Sequence, residues 1–180
     1  MKSARTALIA TGCAAALLLS ACGEEGGKTV NADGTMAPGS ELKVGERAVV
    51  PFEYAEKSGT IAITVKSIDI GPKEDLAKFK DKGEGTLPVY VRMVIENVGG
   101  TDISGADVSL RAVDADGKGT KVIMAGGTPA CKGEEPENFA TKGATFETCD
   151  TQGVKDGGEV GGVTFSDGAG YKDKPITWKK

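Results

Sequence analysis

The 180-residue chain contains no histidine. That absence removes Ser-His-Asp and Cys-His catalysis, histidine-ligated zinc or copper, and the commonest general base near neutral pH. Carboxylates, hydroxyls and four cysteines remain to do chemistry. Glu134, Glu135 and Glu137 cluster beside Cys131. Paired acids can hydrolyse a glycoside, but neighbouring acids in a polar stretch read first as a solvated loop. Asp114-Ala115-Asp116-Gly117-Lys118-Gly119 opens like a calcium loop, yet Lys118 takes the fifth position and Ala125 the twelfth, where oxygen ligands are needed. An Asp-Gly hairpin turn accounts for the same residues. Ser40-Glu41-Leu42-Lys43 has S-x-x-K spacing without the companion motifs of penicillin-binding enzymes, and no G-x-S-x-G occurs. Met93 and Met124 sit in strand-like patterns and read as core. Trp178, in a terminal alternating segment, reads as core more readily than as a ligand platform. Cys131 and Cys149 are too far apart for C-x-x-C, and zinc would lack histidine ligands. The residues therefore nominate no catalytic group, no metal site and no cofactor.

The N-terminus carries a different kind of signal. Lys2 and Arg5 precede an apolar run from Ala7 to Leu19, and small residues follow at Ser20 and Ala21. A charged start, apolar middle and small-residue exit are the layout of a secretory signal peptide. The run is shorter than the roughly 20 residues that span a bilayer. Leu19-Ser20-Ala21-Cys22 resembles the lipobox of bacterial lipoproteins. The resemblance implies a diacylglycerol on Cys22 and cleavage before it, so residues 1–21 are expected to be removed and the chain to be held to a membrane through Cys22. Gly23 follows, so the acidic signal for inner-membrane retention is absent, and the outer face of a single-membrane cell is the expected location.

Removing residues 1–21 takes away two basic residues and no acid, leaving 20 basic against 26 acidic and a net charge of −6. Nucleic acid, which needs a basic footprint, is disfavoured as a partner. Cys13 goes with the leader and Cys22 is lipidated on this reading. Cys131 and Cys149 are then an even pair in an oxidising compartment, where a disulfide is expected. Residues 22–43, punctuated by glycine and by Pro38 with no apolar period, read as a disordered tether reaching about 25 Å.

From residue 44 the pattern is that of short strands. Ala48–Tyr54 reads as an edge strand because of Pro51, and Glu56–Gly59 as the turn after it. Ile61, Ile63 and Val65 alternate, then the phase slips to Ile68 and Ile70, which a bulge near Ser67 explains. Lys73–Lys82 reads as a short surface helix or ordered loop. Val89, Val91, Met93 and Ile95 share one face of the next strand. Val108–Ala112, Lys121–Met124, Glu159–Phe165 with a bulge at Gly161-Gly162, and Ile176–Trp178 follow. Gly126–Asp150 reads as a long loop holding both cysteines, anchored by Phe139 and Phe146. Some seven short strands with turns between them predict an all-β, two-sheet β-sandwich.

Taken together, the lipobox, the Gly-rich tether, Ile61-Ala62-Ile63-Thr64-Val65, Tyr90-Val91-Arg92-Met93-Val94-Ile95-Glu96-Asn97-Val98-Gly99, Asp114–Lys118, the cysteine pair and Trp178 resemble the telokin-like, immunoglobulin-like extracellular domains of Gram-positive surface lipoproteins. The resemblance covers residues 44–180. It implies an immunoglobulin-like sandwich and no defined activity. The expected role is a non-enzymatic module that binds a protein or cell-envelope partner through Gly126–Asp150. The alternative is an accessory protein binding a small molecule or ion in a pocket lined by Trp178, Tyr171 or Phe146.

Overall fold

The computed structural model describes residues 27–122, 124, 126–168 and 170–180. The leader and Cys22 lie outside the described residues. Among the described residues, eight strands build two four-stranded sheets. In chain order they are β1 (Glu41–Lys43), β2 (Arg47–Tyr54), β3 (Lys57–Ile70), β4 (Thr86–Asn97), β5 (Arg111–Val113), β6 (Thr145–Lys155), β7 (Gly162–Phe165) and β8 (Ile176–Lys179). One sheet, A, runs β1-β8-β7-β5, and the other, B, runs β2-β3-β4-β6. Every pairing is antiparallel except β1 with β8. The fold is the expected all-β, two-sheet sandwich.

The alternation in the sequence places the core. Ile61, Ile63, Val65, Val89, Val91, Met93 and Ile95 are each at most 1% exposed and face Val163, Phe165, Ile176 and Trp178 from the other sheet. The phase slip in β3 is a bulge: Val65 pairs with Met93 and Ser67 with Arg92, leaving Lys66 as the extra residue. It turns Ile68 back into the core opposite Val91. Pro51 lies in β2, an edge strand as expected. Trp178 is fully buried and its indole Nε1–H donates to Glu46 O at 2.9 Å, which settles its one polar atom.

Five expectations are corrected. The segment read as a tether is folded from Thr29 onward. Val30 bridges Met36, Met36 N donates to Val49 O at 2.7 Å, Met36 and Ser40 are buried, and residues 41–43 form β1. Only Met36 and Leu42 insert apolar side chains there, too few to show a period, and the Asp33-Gly34 turn has the composition of a linker. The turn after β2 falls at Ala55-Glu56, with Ala55 at φ 53°, so β3 begins at Lys57. The loop expected to run to Asp150 ends at Ala144, because β6 pairs with β4 along its whole length. Its sequence, TFETCDTQGVK, shows little apolar alternation since it is an edge strand with half its surroundings in water. Finally, Gly162 pairs in regular register with Lys179. Gly161 and Gly162 are there for close approach: a Cβ on Gly162 would lie 2.3 Å from Trp178 O. The described residues of Lys121–Met124 contribute one bridge, Val122 to Gly153, in place of the expected strand.

Candidate functional site

Two surfaces bring chemistry-bearing side chains together. The first is the outer face of sheet B. Tyr90, Arg92, Val94 and Glu96 point away from the core because their neighbours in β4 point in. Register places Cys149 opposite Arg92 and Thr151 opposite Tyr90, on that same face. The 3-10 helix Lys73–Gly83, expected as a helix or ordered loop, covers the Tyr90 end. Cys131 is disulfide-bonded to Cys149, as expected, and so lays the turn 127–133 across the face. The turn closes on itself through Thr128 N to Cys131 O (2.8 Å) and Cys131 N to Thr128 O (3.2 Å). A Cβ on Gly127 would lie 2.5 Å from Cys131 O, so only glycine fits.

The turn is held at every side. Lys78 Nζ on the helix donates to Gly127 O. Arg92 donates to Ala130 O at 3.3 Å and pairs with Asp69 at 3.2 Å. Thr151 Oγ1 donates to Cys131 O at 3.2 Å, and Glu134 N to Thr148 Oγ1 at 3.1 Å. Tyr90, 4% exposed, donates its hydroxyl to Asp75 of the helix. Burial, and then the Asp75 carboxylate beside it, push the Tyr90 hydroxyl above its ordinary pKa. Its ring passes so close to Gly71 that a Cβ there would lie 2.3 Å away. Further along the loop Asn97, fully buried, donates to Thr101 O (2.8 Å) and Phe139 O (2.7 Å) and accepts from Gly100 N (2.7 Å). Phe139 meets Phe146 edge-on at 5.0 Å. Two open grooves flank the turn. One of about 520 Å³ runs past Lys78, Pro129 and Lys132. The other, about 490 Å³, runs past Lys66, Arg92, Pro129, Lys132, Glu134 and Glu147.

The second surface is the seam where β5 and β6, edge strands of opposite sheets, approach each other. A cleft of about 200 Å³ opens there, lined by Ser109, Arg111, Thr120, Lys121, Met124 and Gln152 among others. Asp150 anchors it, accepting from Gln152 Nε2 (2.9 Å), Leu110 N (3.2 Å) and Ser109 Oγ (3.4 Å). Burial pushes the Asp150 carboxyl up against the pull of those donors, and Asp167 is raised by burial against the opposing charge of Arg111. Lys121 holds φ 62°, a left-handed conformation that costs a residue with a side chain about 1–2 kcal/mol.

The remaining sequence candidates fall as follows. Glu134, Glu135 and Glu137 are all exposed, and no group of three or more acids or cysteines among the described residues is arranged to hold a metal ion. Asp114 forms the hairpin turn: its Oδ1 accepts from Asp116 N (3.0 Å) and Lys118 N (2.9 Å), and Gly117 takes φ 76°. Ser40 Oγ donates to Ala37 O at 2.7 Å. Met93 is core; Met124 instead lines the β5–β6 cleft. Trp178 is buried, Tyr171 is 2% exposed with its hydroxyl on Met36 O at 2.7 Å, and Phe146 is half-buried against Phe139. Trp178 and Tyr171 thus pack into the core, and Phe146 lies at its margin against Phe139. Sequence reasoning missed Tyr90, Asn97, Asp150 and Gln152 as organisers. Asn97 alone carried a signal, as the last residue of a strand before Val98-Gly99-Gly100.

No family model matches the sequence, and no curated protein or solved structure matches it at a significant level.

Proposed function

We propose that this chain is a lipoprotein anchored through Cys22 at the outer face of a cell membrane, where it acts as a non-enzymatic binding module in the manner of an immunoglobulin-like surface domain. The observation that carries the reading is the fastening of turn 127–133 to sheet B by a disulfide, the helix and both neighbouring strands. A loop fixed on a rigid scaffold binds without paying to order itself, which is what recognition surfaces need and catalytic lids do not. The turn presents Pro129 and Lys132 between a groove whose charged side chains are Lys78 and Lys132 and a second groove of mixed charge. A chain without histidine fits binding better than acid–base chemistry. The partner chemistry that fits is a protein or envelope polymer offering both polar and apolar groups. Cross-linking on intact cells, followed by capture of the lipidated protein, tests the reading. A partner captured by the wild-type chain and lost with Lys132→Glu supports it; the same capture from both chains would sink the assignment of the surface.

A second reading has its own observation. The β5–β6 cleft is small and lined by polar residues, Arg111 and Gln152 among them, together with Ala112, Val122 and Met124, which suits a small accessory ligand. Thermal-shift screening of small metabolites against wild-type and Arg111→Gln protein decides it, since a ligand of the cleft raises the melting temperature of the former alone.

A further inference from the structure

The folding of residues 29–43 onto the sandwich changes how far the domain can stand from its anchor. Between Cys22 and Thr29 lie only enough residues to span at most about 25 Å at full extension. Gly27 itself lines a groove of about 570 Å³ at the β1 edge of sheet A. Four lysines line the same groove: Lys28, Lys43, Lys179 and Lys180. Two acids accompany them, and each is engaged. Glu46 pairs with Lys28 at 2.5 Å and also accepts from Lys43 N at 2.8 Å; Glu41 pairs with Lys179 at 2.7 Å. Lys43 and Lys180 have no carboxylate within 4.0 Å among the described residues. The lining side chains thus carry four positive charges against two negative, on a chain whose net charge without residues 1–21 is −6, with Glu24 and Glu25 of the leash outside the described residues. Leu42 and Val44 also line it, and Val30, on the segment that leads out of it, is 60% exposed.

We infer that this lysine-lined face docks on the anionic phospholipid headgroups of the membrane that holds the anchor. The inference rests on the anchoring proposed above. A short leash places the face within reach of headgroup phosphates, and each lysine near an anionic surface favours contact by about fivefold at moderate salt. The domain then rests on the bilayer by its β1 edge, in contrast to a module extended into the cell wall, and the disulfide-pinned turn is left free for a partner at membrane height. The diacylglycerol expected on Cys22 supplies two acyl chains, which hold a protein at a bilayer stably, so the lysine face sets the orientation of the domain and not its attachment.

The test uses the full lipidated protein in vesicles of phosphatidylcholine alone, or of phosphatidylcholine with phosphatidylglycerol. Lysine acylation is followed residue by residue by mass spectrometry, with flotation of the vesicles read in parallel. Lys43 and Lys180 are expected to react at least fivefold more slowly on the phosphatidylglycerol vesicles, with Lys132 unchanged. In a Lys43→Gln/Lys180→Gln chain the difference at Lys28 is expected to vanish. Protein that floats with both vesicles but labels equally on both overturns this inference alone. Slowing of Lys132 as strongly as Lys43 overturns the orientation. Protein that floats with neither overturns the anchor and this inference together.

Discussion

Replacing both Cys131 and Cys149 by alanine separates two ways in which the bridge could act. The cysteines are 18 residues apart. Releasing a loop of that size from the unfolded chain costs about 3 kcal/mol in the chain-entropy treatment. The folded state loses less, because the turn keeps Thr128–Cys131, Lys78–Gly127, Arg92–Ala130 and Thr151–Cys131 hydrogen bonds made by backbone groups or by other side chains. The loss should therefore appear as a global shift, about 6–12 °C in Tm for a domain of this length, with the turn still folded below the transition. Thermal unfolding by circular dichroism gives the shift, and limited proteolysis below Tm reads the turn. A fall of about 3 kcal/mol with cleavage at residues 127–144 only as the whole domain unfolds is the expected pair of results. A Tm within about 2 °C of wild type, or cleavage of the turn well below Tm, would overturn this account of the bridge. The first would mean the unfolded chain gains nothing from release, the second that the hydrogen bonds cannot hold the turn by themselves.

Three further outcomes follow from the geometry. Asn97→Ala removes a buried side chain that satisfies two carbonyls and one amide, and is expected to cost about 3 kcal/mol in urea unfolding, with the Phe139 segment becoming protease-sensitive. Gly162→Ala drives a Cβ to 2.3 Å from Trp178 O, so the β7–β8 pairing must open and stability should fall by about 2 kcal/mol or more. Asp150→Asn works through pH. Burial raises the folded-state pKa of Asp150, so the folded chain holds that proton more tightly than the unfolded chain. Wild type is then penalised as pH rises from the unfolded value of about 3.9 through the raised folded value, and the penalty is constant above it. Melts across pH should show Asp150→Asn gaining on wild type over that window, with no gain at pH below 3.9. Asp33, Asp102 and Glu46, lowered chiefly by hydrogen bonds from Thr35, Ser104 and Lys28, act oppositely in both chains and cancel in the comparison.

Amino-acid order alone makes the class of fold and most of its core legible. Alternation in Ile61–Val65 and Val89–Ile95 marks which side chains leave water, and the odd-to-even slip before Ile68 located a bulge to within a residue. It also determined chemistry by omission, since a missing histidine is a property of composition and needs no structure. Which polar residues matter emerges when distant strands and loops are brought together. Asn97, Tyr90 and Asp150 look ordinary along the chain, and each becomes an organiser through partners 42, 15 and 40 residues away. Strand β6 was illegible for a related reason. An edge strand buries one face only in part, so Thr, Glu, Asp and Gln serve there as well as apolar residues, and its pairing is fixed by backbone hydrogen bonds that every sequence can make. The same holds for residues 29–43, where a few insertions into an existing sandwich turn linker-like composition into folded chain. Local pattern reports burial along one element; contacts between distant elements are written in no single stretch.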